Sequence, residues 1–129
     1  MMNRVAVTIV ALFVLVGCGD TEPDRDLSGE WTQNAVGYEN GAAAEWVDQI
    51  VVIGVSDDNG FAGYKGYVKS DGVPVREQIN GVIDPGGDVV FVDGDGTFRG
   101  RLDGDTIVGI YVEPGDDSTA MTMVLTRVP

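Results

Sequence analysis

From Leu27 onward the chain is written in short runs of β-branched and aromatic residues, each closed by a cluster of Gly, Asp, Asn or Pro. The runs cover residues 29–32, 49–55, 61–69, 75–84, 89–92, 97–102, 106–113 and 119–128. Alternation is cleanest in two of them. Phe98 and Leu102 share one face while Arg99 and Arg101 share the other, and Met121, Met123 and Leu125 lie opposite Thr122 and Thr126. Alternating polarity over a few residues marks half-buried strands. The breaks are turn chemistry: Asn59-Gly60, Asp71-Gly72, Pro85-Gly86-Gly87, Asp93-Gly94-Asp95-Gly96, Asp103-Gly104-Asp105 and Pro114-Gly115. Asn-Gly and Asp-Gly pairs favour tight hairpins because they tolerate positive φ.

Eight strands at hairpin spacing, with no long helical pattern, predict an all-β domain over residues 27–129. Short connections favour an antiparallel up-and-down meander. Gly54, Gly63, Gly66, Gly81, Gly100 and Gly109 fall inside strands. Interior glycines weaken a flat sheet and permit the kinks by which a barrel closes. An eight-stranded meander barrel also removes the exposed edges of an open sheet. One connection is long, residues 33–48, and its Ala42-Ala43-Ala44-Glu45-Trp46 is expected to form at most one helical turn.

The N-terminus follows different rules. Arg4 precedes an apolar stretch, residues 5–16, in which only Thr8 is polar, and Leu15-Val16-Gly17-Cys18 follows. A positive start, a short apolar run and a small residue before a cleavage point read as a secretory signal over residues 1–17. The apolar run is shorter than the roughly 20 residues that a spanning helix needs. Leu15-Val16-Gly17-Cys18 resembles the lipobox of bacterial lipoproteins. That resemblance implies a Cys18 that carries palmitate-type acyl chains and becomes the mature N-terminus. It accounts for a lone cysteine in an exported chain, where an unpaired thiol is otherwise unusual. Residues 19–26, polar and interrupted by Pro23, read as a tether. Gly19 is not the Asp that retains lipoproteins in the inner membrane of enteric bacteria, so the resemblance favours the outer membrane where the organism has one.

Charge and composition remove whole classes of function. The formal net charge is −13, with 21 acidic and 8 basic residues. Every acidic residue follows Cys18, so loss of Arg4 with the signal makes the remainder more negative. Phosphate contacts need Lys and Arg, which excludes nucleic acid as a partner. The sequence contains no histidine. Ser-His and Cys-His nucleophilic catalysis and the usual zinc sites are therefore unavailable. Paired carboxylates can run glycoside hydrolysis, but among this many acids close pairs arise by chance. The chain is read as non-enzymatic and without cofactor. An EF-hand counted from Asp93 would place Gly104 where its Glu ligand belongs, so these aspartates are assigned to turns and no metal is expected.

Gly29-Glu30-Trp31 on the first strand and Arg127 on the last resemble the calycin barrels, the group that includes lipocalins and avidins. The resemblance implies an Arg packed over the Trp where the first and last strands meet, with Gly29, Trp31 and Arg127 forming the closure. Some small bacterial envelope inhibitors of proteases or lysozymes open similarly. Several of those carry a disulfide that this chain cannot form. No avidin biotin residues match beyond the opening, so biotin binding does not carry over. Tyr38 and Trp46, placed in the long connection over the barrel mouth, are the candidate ligand or partner contacts. Met121 and Met123 are assigned to core gaps. Small barrels of this strand number are commonly filled by their own side chains. The expected protein is thus a lipid-anchored envelope barrel that meets a basic envelope protein through its acidic loops, or that takes up one small apolar ligand.

Overall fold

The computed structural model describes residues 26–129. The signal segment, Cys18 and the tether up to residue 25 lie outside the described residues. The remainder forms eight strands, β1(Gly29–Glu39), β2(Ala42–Asp57), β3(Gly60–Val68), β4(Pro74–Ile83), β5(Asp88–Val92), β6(Thr97–Asp103), β7(Thr106–Glu113) and β8(Thr119–Arg127). Each pairs with the next in sequence, and β1 closes antiparallel on β8. This is the closed up-and-down barrel that the alternation and the short turns predict.

The first hairpin departs from the expectation. Residues 33–48 are not a loop, and 42–46 make no helical turn. β1 and β2 run on as paired strands from Gln33↔Gln49 to Glu39↔Ala42. They are joined by Asn40-Gly41, whose φ angles of 49° and 76° are those of a tight hairpin turn. The strands stay in register across this length only by way of a bulge. Between Gln33 and Ala35 the register shifts, so that Val47 and Asp48 oppose Asn34. Asp48 adopts a positive φ of 52°, and its N–H donates to Asn34 Oδ1 at 3.0 Å. The extra residue inverts the inward-outward parity of β2. Gln49 and Val51 face inward; beyond the bulge Trp46 does too, while Val47 is exposed.

The interior is packed from the N-terminal rim upward. Trp31, Val51, Ile53, Phe61, Ile79, Val89, Phe91, Phe98, Ile107 and Leu125 are all buried. Phe91 stacks on Phe98 at 4.8 Å and meets Phe61 edge-on at 6.5 Å. Met121 and Met123 are buried in the same core. Glycines admit this packing. A Cβ at Gly63 would lie 1.9 Å from the Val52 carbonyl oxygen, and one at Gly81 would lie 2.2 Å from the Phe61 ring. Gly54 sits at a second bulge, where the β2–β3 register shifts between Ile53 and Val55.

The N-terminal rim is stoppered. Leu27 is fully buried, its carbonyl accepts a hydrogen bond from Trp31 Nε1 at 2.9 Å, and Arg127 covers the Trp31 ring. At the opposite rim the hairpin turns 40–41, 69–73, 93–96 and 114–118 surround an opening.

Candidate functional site

The inward-facing positions change character toward this open rim. The apolar core gives way to Gln33, Gln49, Lys65, Glu77 and Tyr111, followed by Glu39, Tyr67, Asp93, Asp95 and Glu113. Strand parity explains why they converge. Lys65 continues the inward row of Phe61 and Gly63 on β3, Glu77 precedes Ile79 on β4, and Asp93 follows Val89 and Phe91 off the end of β5. A cavity of about 250 Å³ lies among Glu39, Trp46, Gln49, Lys65, Tyr67, Glu77, Asp95 and Glu113.

Lys65 is the centre of the site. It is 4% exposed, an unusual burial for a lysine. Its ammonium forms an ion pair with Asp93, whose side chain is wholly buried, and a second with Glu77 at 3.4 Å. It also lies 4.8 Å from the Tyr111 ring centroid and 5.7 Å from that of Trp46. Two carboxylates and two aromatic faces together compensate the loss of hydration that would otherwise forbid a buried charge.

Asp93 does two jobs. Its Oδ1 accepts from the backbone N–H groups of Asp95 at 2.8 Å and Gly96 at 2.7 Å, which folds the 93–96 turn. The same carboxylate receives the Lys65 ammonium and lies 2.8–3.0 Å from the Tyr111 hydroxyl. Burial alone would raise its pKa; the lysine and the two backbone donors outweigh that and hold it below the usual carboxylate value. Glu77 moves the other way. Burial lifts it, Lys65 offsets only part of the rise, and the neighbouring carboxylates of Asp95 and Asp93 add to it. Tyr111 is pushed far up by burial and by the carboxylates of Glu113 and Asp93, so its hydroxyl stays protonated as a donor shared between them. Tyr67 rises too, through burial and the adjacent Glu77, which its hydroxyl meets at 3.4 Å.

Glu77, Asp93 and Asp95 each offer an oxygen, all within 4.8 Å of one another. The spacing would suit a hard cation, but the Lys65 ammonium already bonds two of the three. A metal ion would have to displace a buried lysine, and the donor set does not fit one while Lys65 is present.

The residues singled out in the sequence fall in separate places. Gly29, Trp31 and Arg127 lie together at the stoppered rim: Trp31 and Arg127 are register partners, and the guanidinium sits 4.4 Å from the Trp31 ring centroid. Trp46 lies in the open rim, where its Nε1 donates to Glu39 at 3.2 Å and its ring meets Tyr111 edge-on at 5.5 Å. Tyr38 does not join it. At 65% exposure it stands on the outer surface of β1, because the strand continues where a loop was expected and parity sends residue 38 outward. The sequence reading passed over Lys65, Glu77, Tyr111 and Glu113, and assigned Asp93 to a turn alone. A signal for Lys65 was present: a lysine on the same strand face as Phe61 and Gly63 points into a barrel.

No protein-family model matches the chain, and no curated protein matches it. Among solved structures it is similar to a Bacteroides ovatus protein of unknown function, with a TM-score of 0.56 and 10% identity over 78% of this chain. This chain spans 41% of that one's length, and the likeness is one of fold. It also superposes on a zebrafish ileal bile acid-binding protein complexed with cholic acid, with 12% identity, 78% of this chain and 98% of that chain covered, and a TM-score of 0.41. That superposition is too loose to bear on this barrel.

Proposed function

We propose that this chain is a non-enzymatic binding module, held at the cell envelope by a lipid on Cys18, that engages a basic protein through the rim opposite its N-terminus. The observation that carries the reading is the difference between the two ends. Asp26, from which the chain leads back toward Cys18, lies at the rim sealed by Leu27, Trp31 and Arg127. The charged cavity opens at the other rim. A domain tethered at its sealed end presents the open one away from the membrane. Gly19 after the cysteine supports an outer-membrane address where the organism has one.

The rim also has the charge for a basic partner. Asp95, Glu113, Asp116 and Asp117 crowd its edge, and the whole chain carries −13. Such a field steers a cationic protein and raises its association rate. The chemistry available supports the non-enzymatic reading. The chain lacks histidine. The cavity's lysine is tied to two carboxylates, and the Tyr111 hydroxyl is held protonated.

A second reading, uptake of one small apolar ligand, is favoured by the half-buried Trp46 at the mouth of a closed barrel. The two separate in one titration. Protein whose residues 1–18 are replaced by a soluble start is titrated with a strongly basic protein and with an apolar fluorescent probe, at low and high salt. The first reading expects binding to the basic protein that weakens with salt, since exposed charges are screened beyond roughly 8–10 Å at physiological ionic strength. Saturable one-to-one uptake of the apolar probe, indifferent to salt, would favour the second. Binding of neither would sink both.

A further inference from the structure

We infer that the rim cavity is a receptor for an organic cation, a primary ammonium or a guanidinium, presented by a free amine or by a Lys or Arg side chain of a partner. The inference rests on the reading that the open rim is the binding end, and it names what that end recognises.

Charge comes first. Four carboxylates, Glu39, Glu77, Asp95 and Glu113, line the cavity against one ammonium, that of Lys65. Lys65 is consumed by Asp93 and Glu77. Glu39, Asp95 and Glu113 have no ion-pair partner among the described residues. A semi-enclosed space with uncompensated negative charge and low-dielectric walls concentrates cations.

The walls specify the kind of cation. Trp46 and Tyr67 line the cavity, with the Tyr111 ring beneath Lys65, and aromatic faces attract alkylammonium and guanidinium groups. Lys65 itself demonstrates that the combination works here, since this site already stabilises one alkylammonium between carboxylates and rings. The inorganic alternative is blocked by the same lysine. A bare divalent ion needs several oxygen ligands in its first shell, and the only close carboxylate trio is bridged by Lys65.

A separate observation points to a ligand with N–H groups. Gln33 is fully buried, and its Oε1 has no hydrogen-bond partner among the described residues. Its Nε2 donates to Oε1 of Gln49, a cavity-lining residue, at 2.8 Å. Buried amides are nearly always fully paired. That unpaired acceptor lies one side chain behind the cavity wall, next to Gln49, where a donor reaching past Gln49 would meet it. The volume of about 250 Å³ suits a side-chain-sized cation rather than a bulky ligand.

The test uses the same soluble form and reads Trp46 fluorescence with calorimetry. Agmatine and putrescine probe the free-amine source. A short unstructured peptide with one Arg, and its citrulline counterpart, probe the side-chain source; n-butylurea is the neutral control. One-to-one binding of at least one cation is expected, with the neutral compounds about tenfold or more weaker. Asp95→Asn with Glu113→Gln should weaken the cation by a similar factor while leaving the thermal midpoint little changed. Binding of the diamines alone assigns a free amine, and binding of the Arg peptide alone assigns a partner side chain. Equal affinity for charged and neutral probes, no saturation by any cation, or indifference to the double substitution would overturn the inference. If the basic protein still binds, and Trp46→Ala weakens it, while no cation probe binds, the inference fails and the open-rim reading stands. If neither substitution alters binding of the basic protein, the open-rim reading fails as well.

Discussion

The Arg127 guanidinium lies 4.4 Å from the Trp31 ring centroid, and the two residues face each other across the β1–β8 seam. The same group donates from Nη1 to the Ser28 carbonyl at 2.8 Å and from Nη2 to the Asp26 carbonyl at 3.0 Å. One side chain thus covers the core aromatic, joins the last strand to the first, and pins the incoming chain across the rim. Trp31→Ala should cost about 3–5 kcal/mol, as for other buried aromatic truncations. Arg127→Met should cost less, about 0.5–2 kcal/mol for the cation over the ring together with whatever the two carbonyl bonds contribute. Urea unfolding of both variants measures this. A Trp31→Ala cost below about 1 kcal/mol would show that the seam does not depend on the indole.

The seam was legible because Gly29-Glu30-Trp31 and Arg127 are short local motifs that resemble the closing residues of calycin barrels. The strand count was legible for the same reason, as turn chemistry is local. The first hairpin was misread although Asn40-Gly41 is the same kind of turn pair as Asn59-Gly60. Its flanks lack the β-branched density of the other strands: Ala42-Ala43-Ala44 favours no strand by itself and is held extended by its pairing with β1. The cavity was illegible because it depends on long-range convergence. Lys65, Glu77, Asp93 and Glu113 lie on β3, on β4, just after β5 and on β7, and only closure of the barrel brings them together. Asp93 was concealed further by being a good turn residue, which hid its second role.

Removal of Lys65 should expose how the site is balanced. Lys65→Met leaves the Asp93 carboxylate buried beside Tyr111 without its cation. Breaking one side of a buried pair typically costs about 3–5 kcal/mol, mostly from the charge left behind. Asp93→Asn in the same background should restore much of that loss. A thermodynamic cycle by chemical denaturation reads the coupling, and additive single effects would mean that the two groups are independent.

Glu77 sets a pH dependence whose sign follows from its shift. Burial raises its pKa above the ordinary 4.5. Around that pH the folded protein keeps a proton that the unfolded chain releases, so this group's contribution is fully present below pH 4.5 and declines as pH rises through the folded value. Asp93, held below 3.8, contributes oppositely: its stabilisation is present above pH 3.8 and is lost as pH falls through its folded value. Between pH 4.5 and neutrality the Glu77 effect therefore stands alone of the two. Glu77→Gln should be flatter than wild type across that window in thermal midpoint against pH. Parallel curves would show that Glu77 titrates as it does in the unfolded chain.

The anchor is the last element to test, and it concerns orientation as much as location. Cys18 is the only cysteine in the chain and closes the Leu15-Val16-Gly17-Cys18 motif. Residues 19–26 reach at most about 26–29 Å when fully extended, so an acylated Cys18 keeps the barrel close to the bilayer. More than one acyl chain is needed for stable attachment, since a single chain binds only marginally. Wild type should fractionate with membranes and require detergent for release, and Cys18→Ser should appear soluble or unprocessed. Because the tether joins the sealed rim, Trp46 at the opposite rim should remain open to the solvent when the protein is anchored. Acrylamide quenching of Trp46 in a Trp31→Phe background should then match between the vesicle-bound form with Cys18 intact and the soluble form. Release by a salt wash with an unmodified Cys18 would refute the anchor. Protection of Trp46 on vesicles would show that the open rim faces the bilayer.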